Sequence, residues 1–232
     1  MRHRRALSLI EILVVIGIVA LLIGILVPVL IRAREHSKQS QCATNLHAIH
    51  QAFSAYAAEN NGFIPRAGSY TDYSDDGPAW IIGLVRYLGF PKGGTWDDVP
   101  KMKVLGCPSH PTEKIPSAFV VNAYSFPVSA TAFDGTGAIA QSKIVTPANW
   151  PLLLEANDQF NSQSQMSTTD DIFFEVQHHV RRVDHINPNA EKCRITWNRH
   201  DRGGSNVLFG DGHVAPSGQP LVLEAFDYSI AH

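Results

Sequence analysis

The sequence predicts an α+β fold, a long N-terminal α-helix packed on an antiparallel β-sheet with long loops. Three observations predict it. The run from Ile12 to Ile31 carries no charge and passes directly into a stretch with helical apolar spacing. Two short β-type runs, Ala118 to Phe126 and Leu152 to Ala156, follow in the middle of the chain. Near the carboxyl end, Gly210-Asp211-Gly212 sits between the strand-like runs Ser205-Asn206-Val207-Leu208-Phe209 and His213-Val214-Ala215, a hairpin signature.

The apolar run organises the rest. About twenty helical residues at 1.5 Å rise span roughly 30 Å, the thickness of a bilayer core. A globular core helix rarely runs so long without a polar face. Pro28, with Gly17 and Gly24 before it, predicts a local loosening that membrane helices tolerate. Glu11 is a lone carboxylate near the end of the run. Such a group costs about 2.5 kcal/mol or more at the membrane centre, less near the interface, and usually has a partner. Met1-Arg2-His3-Arg4-Arg5-Ala6 places three arginines ahead of the run, which predicts a cytoplasmic amino end. An ordinary cleaved signal peptide fits poorly, because the run is too long and no A-x-A site follows it.

Arg32 to Asn61 continues as helix. Leu46, Ile49 or His50, Phe53, and Tyr56 or Ala57 recur at three- and four-residue spacing, an apolar stripe that lies against something. His47 and His50 read as polar flank and groove filler. Asn60-Asn61-Gly62 is the stop, with Pro65 beyond. From Leu7 to about Asn60 the helix would be on the order of 80 Å long. Asp76-Gly77-Pro78 opens a short helix in which Trp80, Leu84 and Leu88 share a face and Gly89 ends it. Val104-Leu105 leads to Cys107-Pro108.

The segment Ala6-Leu7-Ser8-Leu9-Ile10-Glu11-Ile12-Leu13-Val14-Val15-Ile16 resembles the processing site of type IV pilin and type II secretion pseudopilin precursors. The resemblance implies a pilin-like fold and cleavage by prepilin peptidase between Ala6 and Leu7. It also implies N-methylation of Leu7, and Glu11 as the fifth mature residue, which sets subunit register. Pro28 falls where that family also tends to have proline. The chain departs from the usual pattern with Ala6 in place of Gly and Leu7 in place of Phe or Met. His200 and Asp211-Gly212 resemble the H-X9-DG element near the end of many prepilin-like bacterial proteins, with ten residues here between His and Asp. Gln41-Cys42-Ala43-Thr44-Asn45-Leu46, Ala55-Tyr56, Asn61-Gly62-Phe63-Ile64-Pro65 and Cys107-Pro108-Ser109 resemble the same group.

These likenesses divide the chain into a leader (1–6), a transmembrane or filament-core helix (7–31), its amphipathic continuation (32–61) and an exported globular α+β domain (62–232). They imply a bacterial inner-membrane protein with its domain on the periplasmic or extracellular side. The implied partners are prepilin peptidase, further pilin-like subunits (copies of itself or others), an inner-membrane assembly platform and the membrane itself. The chain has three cysteines, Cys42, Cys107 and Cys193. In an oxidising compartment an odd count leaves one unpaired. The resemblance favours Cys42 with Cys107 as a disulfide; three free thiols remain the alternative.

Composition and motifs narrow the function classes. A net charge of −2 gives no nucleic-acid footprint. Asp134-Gly135-Thr136-Gly137 lacks the spacing of a phosphate loop, so it reads as a turn. The polar stretch from Asn157 to Arg194, with His178, His179 and His185, has no metal-ligand spacing and reads as surface loop. His200, Asp211 and His213 form no recognisable catalytic pattern, and the turn explains Asp211. The expectation is therefore a non-enzyme without cofactor, and no metal site is assigned. By composition alone, Asp170-Asp171 and Asp201 are the candidates for calcium. The alternative function is a membrane-anchored exported domain that binds a polysaccharide or another surface ligand, with Trp80, Trp96, Trp150 and Trp197 as candidate contacts.

Overall fold

A computed structural model describes residues 9–65, 80–90, 101–109, 118–122, 139–156, 179–180, 187–189, 193, 195–200 and 204–227. Ala6, Leu7, Trp96, His178, His185, the segment 134–137 and the aspartates at 170, 171 and 201 lie outside them. Two compact units emerge, residues 1–37 and 38–232.

Helix α1 (Leu9–Glu59) contains Pro28 without ending there. Proline lacks the N–H that the helix interior needs, yet the long apolar sequence on both sides keeps the helical path. In the first unit the large apolar side chains from Leu9 to Ile31 are exposed on every side of the helix. Among the described residues this is the one helix long and apolar enough to cross a membrane.

In the second unit α1 shows the predicted stripe. Cys42, Leu46, Ile49, Phe53 and Ala57 are buried at intervals of four, three, four and four residues, and Ala52 joins them. His47 faces outward. The helix stops as its sequence says it should. Asn61 and Gly62 both take positive φ, 54° and 81°, and Gly62 N–H donates to Ala57 O at 2.8 Å. That six-to-one bond satisfies a carbonyl the helix end would otherwise orphan. Helix α2 (Trp80–Leu84) and the 3-10 turn Val85–Leu88 follow, closed by Gly89 at φ 107°. Trp80 stacks on Phe53 with ring centroids 5.9 Å apart. Arg86 and Tyr87 reach Glu59 at 2.5 and 2.8 Å.

The sheet has the order β3-β1-β2-β4-β5, with β1 Phe119–Asn122, β2 Pro151–Glu155, β3 His179–Val180, β4 Ser205–Phe209 and β5 Val214–Ser217. Pairings β1–β2, β2–β4 and β4–β5 are antiparallel. The two-residue β3 runs parallel to β1 at one edge. The fold is thus α+β, a long helix on an antiparallel sheet. Both faces of the sheet are covered. Phe119, Val121, Leu153 and Leu208 join the α1 stripe, whereas Val120, Leu154 and Val207 pack with Ile195, Trp197 and Phe226. Strand alternation sorts these residues by face. It also puts Glu155 and Asn206 on the α1 side, two residues from Leu153 and Leu208.

The β4–β5 hairpin turns at Gly210-Asp211-Gly212, as the sequence predicts. Gly212 N–H donates to Phe209 O at 2.9 Å, and Asp211 Oδ1 accepts from the His213 backbone N–H at 3.1 Å. Gly212 has φ 94°, and a Cβ there would strike the ring of His50 on α1. His50 hydrogen-bonds to the Gly210 backbone, and burial lowers its pKa below the ordinary value. The turn is therefore docked on the helix, and glycine is demanded twice, by the backbone and by the close approach. Gly212→Ala is expected to cost about 2 kcal/mol or more, because strain and steric conflict coincide. The urea midpoint of the detergent-solubilised chain checks this; an unchanged midpoint would mean the turn is not seated on His50.

Candidate functional site

Four chemistry-bearing side chains meet beneath α1. Cys42 comes from the first buried turn of the α1 stripe. Cys107 follows the 3-10 turn Lys103–Leu105. Glu155 ends β2, and His200 precedes β4. All four are buried, and one ligating atom from each lies within 4.8 Å of all the others.

Local structure aims each of them. Asn45, one turn along α1 from Cys42, donates to Gly106 O at 2.8 Å and holds the backbone just before Cys107. Ala118 N–H donates to Leu105 O at 2.7 Å, tying the same loop to the start of β1. His200 N–H donates to Gly204 O at 2.9 Å, and Arg199 N–H donates to Ser205 Oγ at 3.1 Å, which folds the 199–200 turn against β4.

Glu155 is the hub. Its Oε1 accepts hydrogen bonds from Cys42 Sγ at 2.8 Å, from His200 Nε2 at 2.9 Å and from Asn206 Nδ2 at 3.3 Å. Its Oε2 faces Arg199 Nε at 3.5 Å. Arg199 also donates through Nη2 to Ala156 O. Asn206 donates in addition to Gln39 O on α1 at 3.2 Å. A buried carboxylate is costly unless paired and hydrogen-bonded, and here both conditions are met. Cys107 Sγ lies 3.7 Å from His200 Nε2.

The electrostatics polarise the group. Cys42 is pushed far above the usual thiol range by its hydrogen bond with Cys107, by burial and by the Glu155 charge. Cys107 goes down to about 6, chiefly through Cys42, against burial and with help from His200. Burial pulls His200 down, but hydrogen bonds to Cys107 and Glu155 and their charges outweigh it, raising His200 to about 9. The shifts favour the proton on Cys42 and on His200 over Cys107.

The structure brings Cys42 and Cys107 together, as free thiols. Cys193 is buried apart from them, donating to Ile195 O at 3.3 Å. His200 joins this cluster, while Asp211 and His213 pair at 2.6 Å on the hairpin turn and His213 stacks on Phe209. Trp80, Trp150 and Trp197 are buried, so core packing accounts for these three. Glu11 and Pro28 lie on the exposed apolar part of α1. Sequence reasoning missed Glu155. The available signal was a charged residue closing the otherwise apolar run Pro151-Leu152-Leu153-Leu154.

Comparison of the chain with protein-family models, with curated proteins and with solved structures returned no match.

Glu155→Gln removes the charge that Arg199 and His200 face. Breaking a buried pair on one side is expected to cost about 3 kcal/mol, whereas Glu224→Gln, on an exposed side chain, should change stability by less than about 0.5 kcal/mol. Chemical denaturation of both variants checks the contrast.

Proposed function

We propose that the chain is a prepilin-like structural subunit. Prepilin peptidase trims it between Ala6 and Leu7 and methylates Leu7. The mature chain then assembles through its helix into a type IV pilus-like filament or a type II secretion pseudopilus. One observation carries the reading: α1 is continuous, apolar and exposed from Leu9 to Ile31, and then buries a stripe against the sheet. A surface of that size and apolarity needs lipid or other subunits to cover it. The basic leader, the Ala6-Leu7 junction and Glu11 supply the processing and assembly parts.

In this reading the subunit waits in the inner membrane with its domain outside. Cleavage creates an ammonium at Leu7, four residues before Glu11. In a low-dielectric filament core, Glu11 of one subunit pairs with the Leu7 amine of a neighbour, which fixes the axial register. Chemistry on the precursor belongs to the peptidase, and this chain supplies surface and charge.

Co-expression with an active and with a dead prepilin peptidase tests the reading. Intact mass and N-terminal sequencing should give methylated Leu7 as the first residue only with the active enzyme. Glu11→Ala should still be cut but should lower filament yield by about tenfold or more, the equivalent of losing about 1.4 kcal/mol per contact. A chain beginning at Met1 under both conditions would leave a plain membrane anchor.

A further inference from the structure

We infer that Cys42, Cys107, Glu155 and His200 form a closed, structural binding site for a zinc-class divalent cation that staples α1 to the sheet. The inference concerns the second unit alone and stands whether or not the chain is processed and assembled as a pilin.

The donor set points to this class of ion. Two sulfurs, one imidazole nitrogen and one carboxylate oxygen suit zinc and its soft neighbours. Calcium, which takes six to eight oxygens, does not fit them. A tetrahedral ion with bonds of about 2.0–2.3 Å sets its ligands roughly 3.3–3.8 Å apart. Cys107 Sγ to His200 Nε2 is already 3.7 Å. Cys42 Sγ to Glu155 Oε1 is 2.8 Å and His200 Nε2 to Glu155 Oε1 is 2.9 Å, lengths set by the protons between them. Replacing those protons with an ion lengthens each edge by less than about 1 Å, within side-chain rotation.

Charge and surroundings agree. A dication with two thiolates, one carboxylate and a neutral imidazole carries one negative charge. The Arg199 guanidinium, 3.5 Å from Glu155 Oε2, neutralises it. On binding, the protons held by the sulfur and nitrogen donors leave to solvent, so no oxidant or reductant is needed. Asn206 Nδ2 lies 3.3 Å from Glu155 Oε1, placed to orient that ligand. The four donors use all four tetrahedral positions in a buried place, which makes the site structural and not catalytic. The ligands come from α1, the 101–109 loop, β2 and the turn before β4, so one ion cross-links four segments.

The same two sulfurs cannot both ligate and form a disulfide, so one experiment separates the two chemistries. The full chain is purified in detergent without chelator or reductant from zinc-replete cells, and its metal content and free thiols are measured. About one zinc per chain is expected, with X-ray absorption showing two sulfur neighbours. Cys107→Ser should lose the zinc by at least about tenfold, and Cys193→Ser should keep it. Should Cys107→Ser fail to fold, cobalt replacement in the unaltered chain decides. Sulfur-to-cobalt charge transfer with strong tetrahedral bands supports the site; only the weak bands of hydrated cobalt overturn it. A Cys42–Cys107 disulfide with no metal bound, or reduced thiols with no metal uptake, overturns it as well.

Discussion

The globular part of this protein depends on how it keeps a carboxylate out of water. Glu155 ends a strand whose other residues are apolar, under a helix that shields it completely. Its burial is tolerable only because a thiol, an imidazole, an amide and a guanidinium converge on its two oxygens. Those partners come from three segments: Cys42 from α1, Arg199 and His200 from the turn before β4, and Asn206 from β4. Satisfying one charge therefore fixes the register of α1, the turn before β4 and β4 itself, and Cys107 joins through His200 at 3.7 Å. Apolar burial holds the layers together without specifying their alignment, because it has no direction. The polar cluster supplies the alignment.

A second contact works at the other end of the interface. The Gly210-Asp211-Gly212 turn meets His50 two helical turns beyond Cys42, and Phe53 stacks on Trp80 beyond that. α1 is thus gripped at the polar cluster on β2 and β4, along its apolar stripe and at the hairpin. These three contacts hold residues 38–59 of the helix in one position on the sheet.

Much of this was legible in the sequence because it is periodic or local. The apolar run is a composition signal, the α1 stripe a 3.6-residue signal, and the hairpin a signal carried by Asp211-Gly212 alone. Asn61-Gly62 marked the helix end correctly because the left-handed conformation there is a local demand. The cluster was illegible for the opposite reason. Cys42 and Glu155 are 113 residues apart, Cys107 and His200 are 93, and Glu155 and His200 are 45. Ligand-spacing rules read donors that share a turn or a helix, and no two of these do. The short β3, parallel to β1, escaped as well, since two residues carry no alternation. Cys42, Cys107 and His200, far apart in sequence, each place a donor atom within 4.8 Å of Glu155.

The most direct test of the central claim is a double-mutant cycle on stability between Cys42→Ala and Glu155→Gln, measured by urea denaturation of the full chain in detergent. If Glu155 is the hub that aligns the helix, the two losses are strongly non-additive, with a coupling of about 1 kcal/mol or more. Additive losses within about 0.3 kcal/mol would mean that Cys42 and Glu155 stabilise the protein independently. The alignment of helix on sheet would then rest on the apolar core alone.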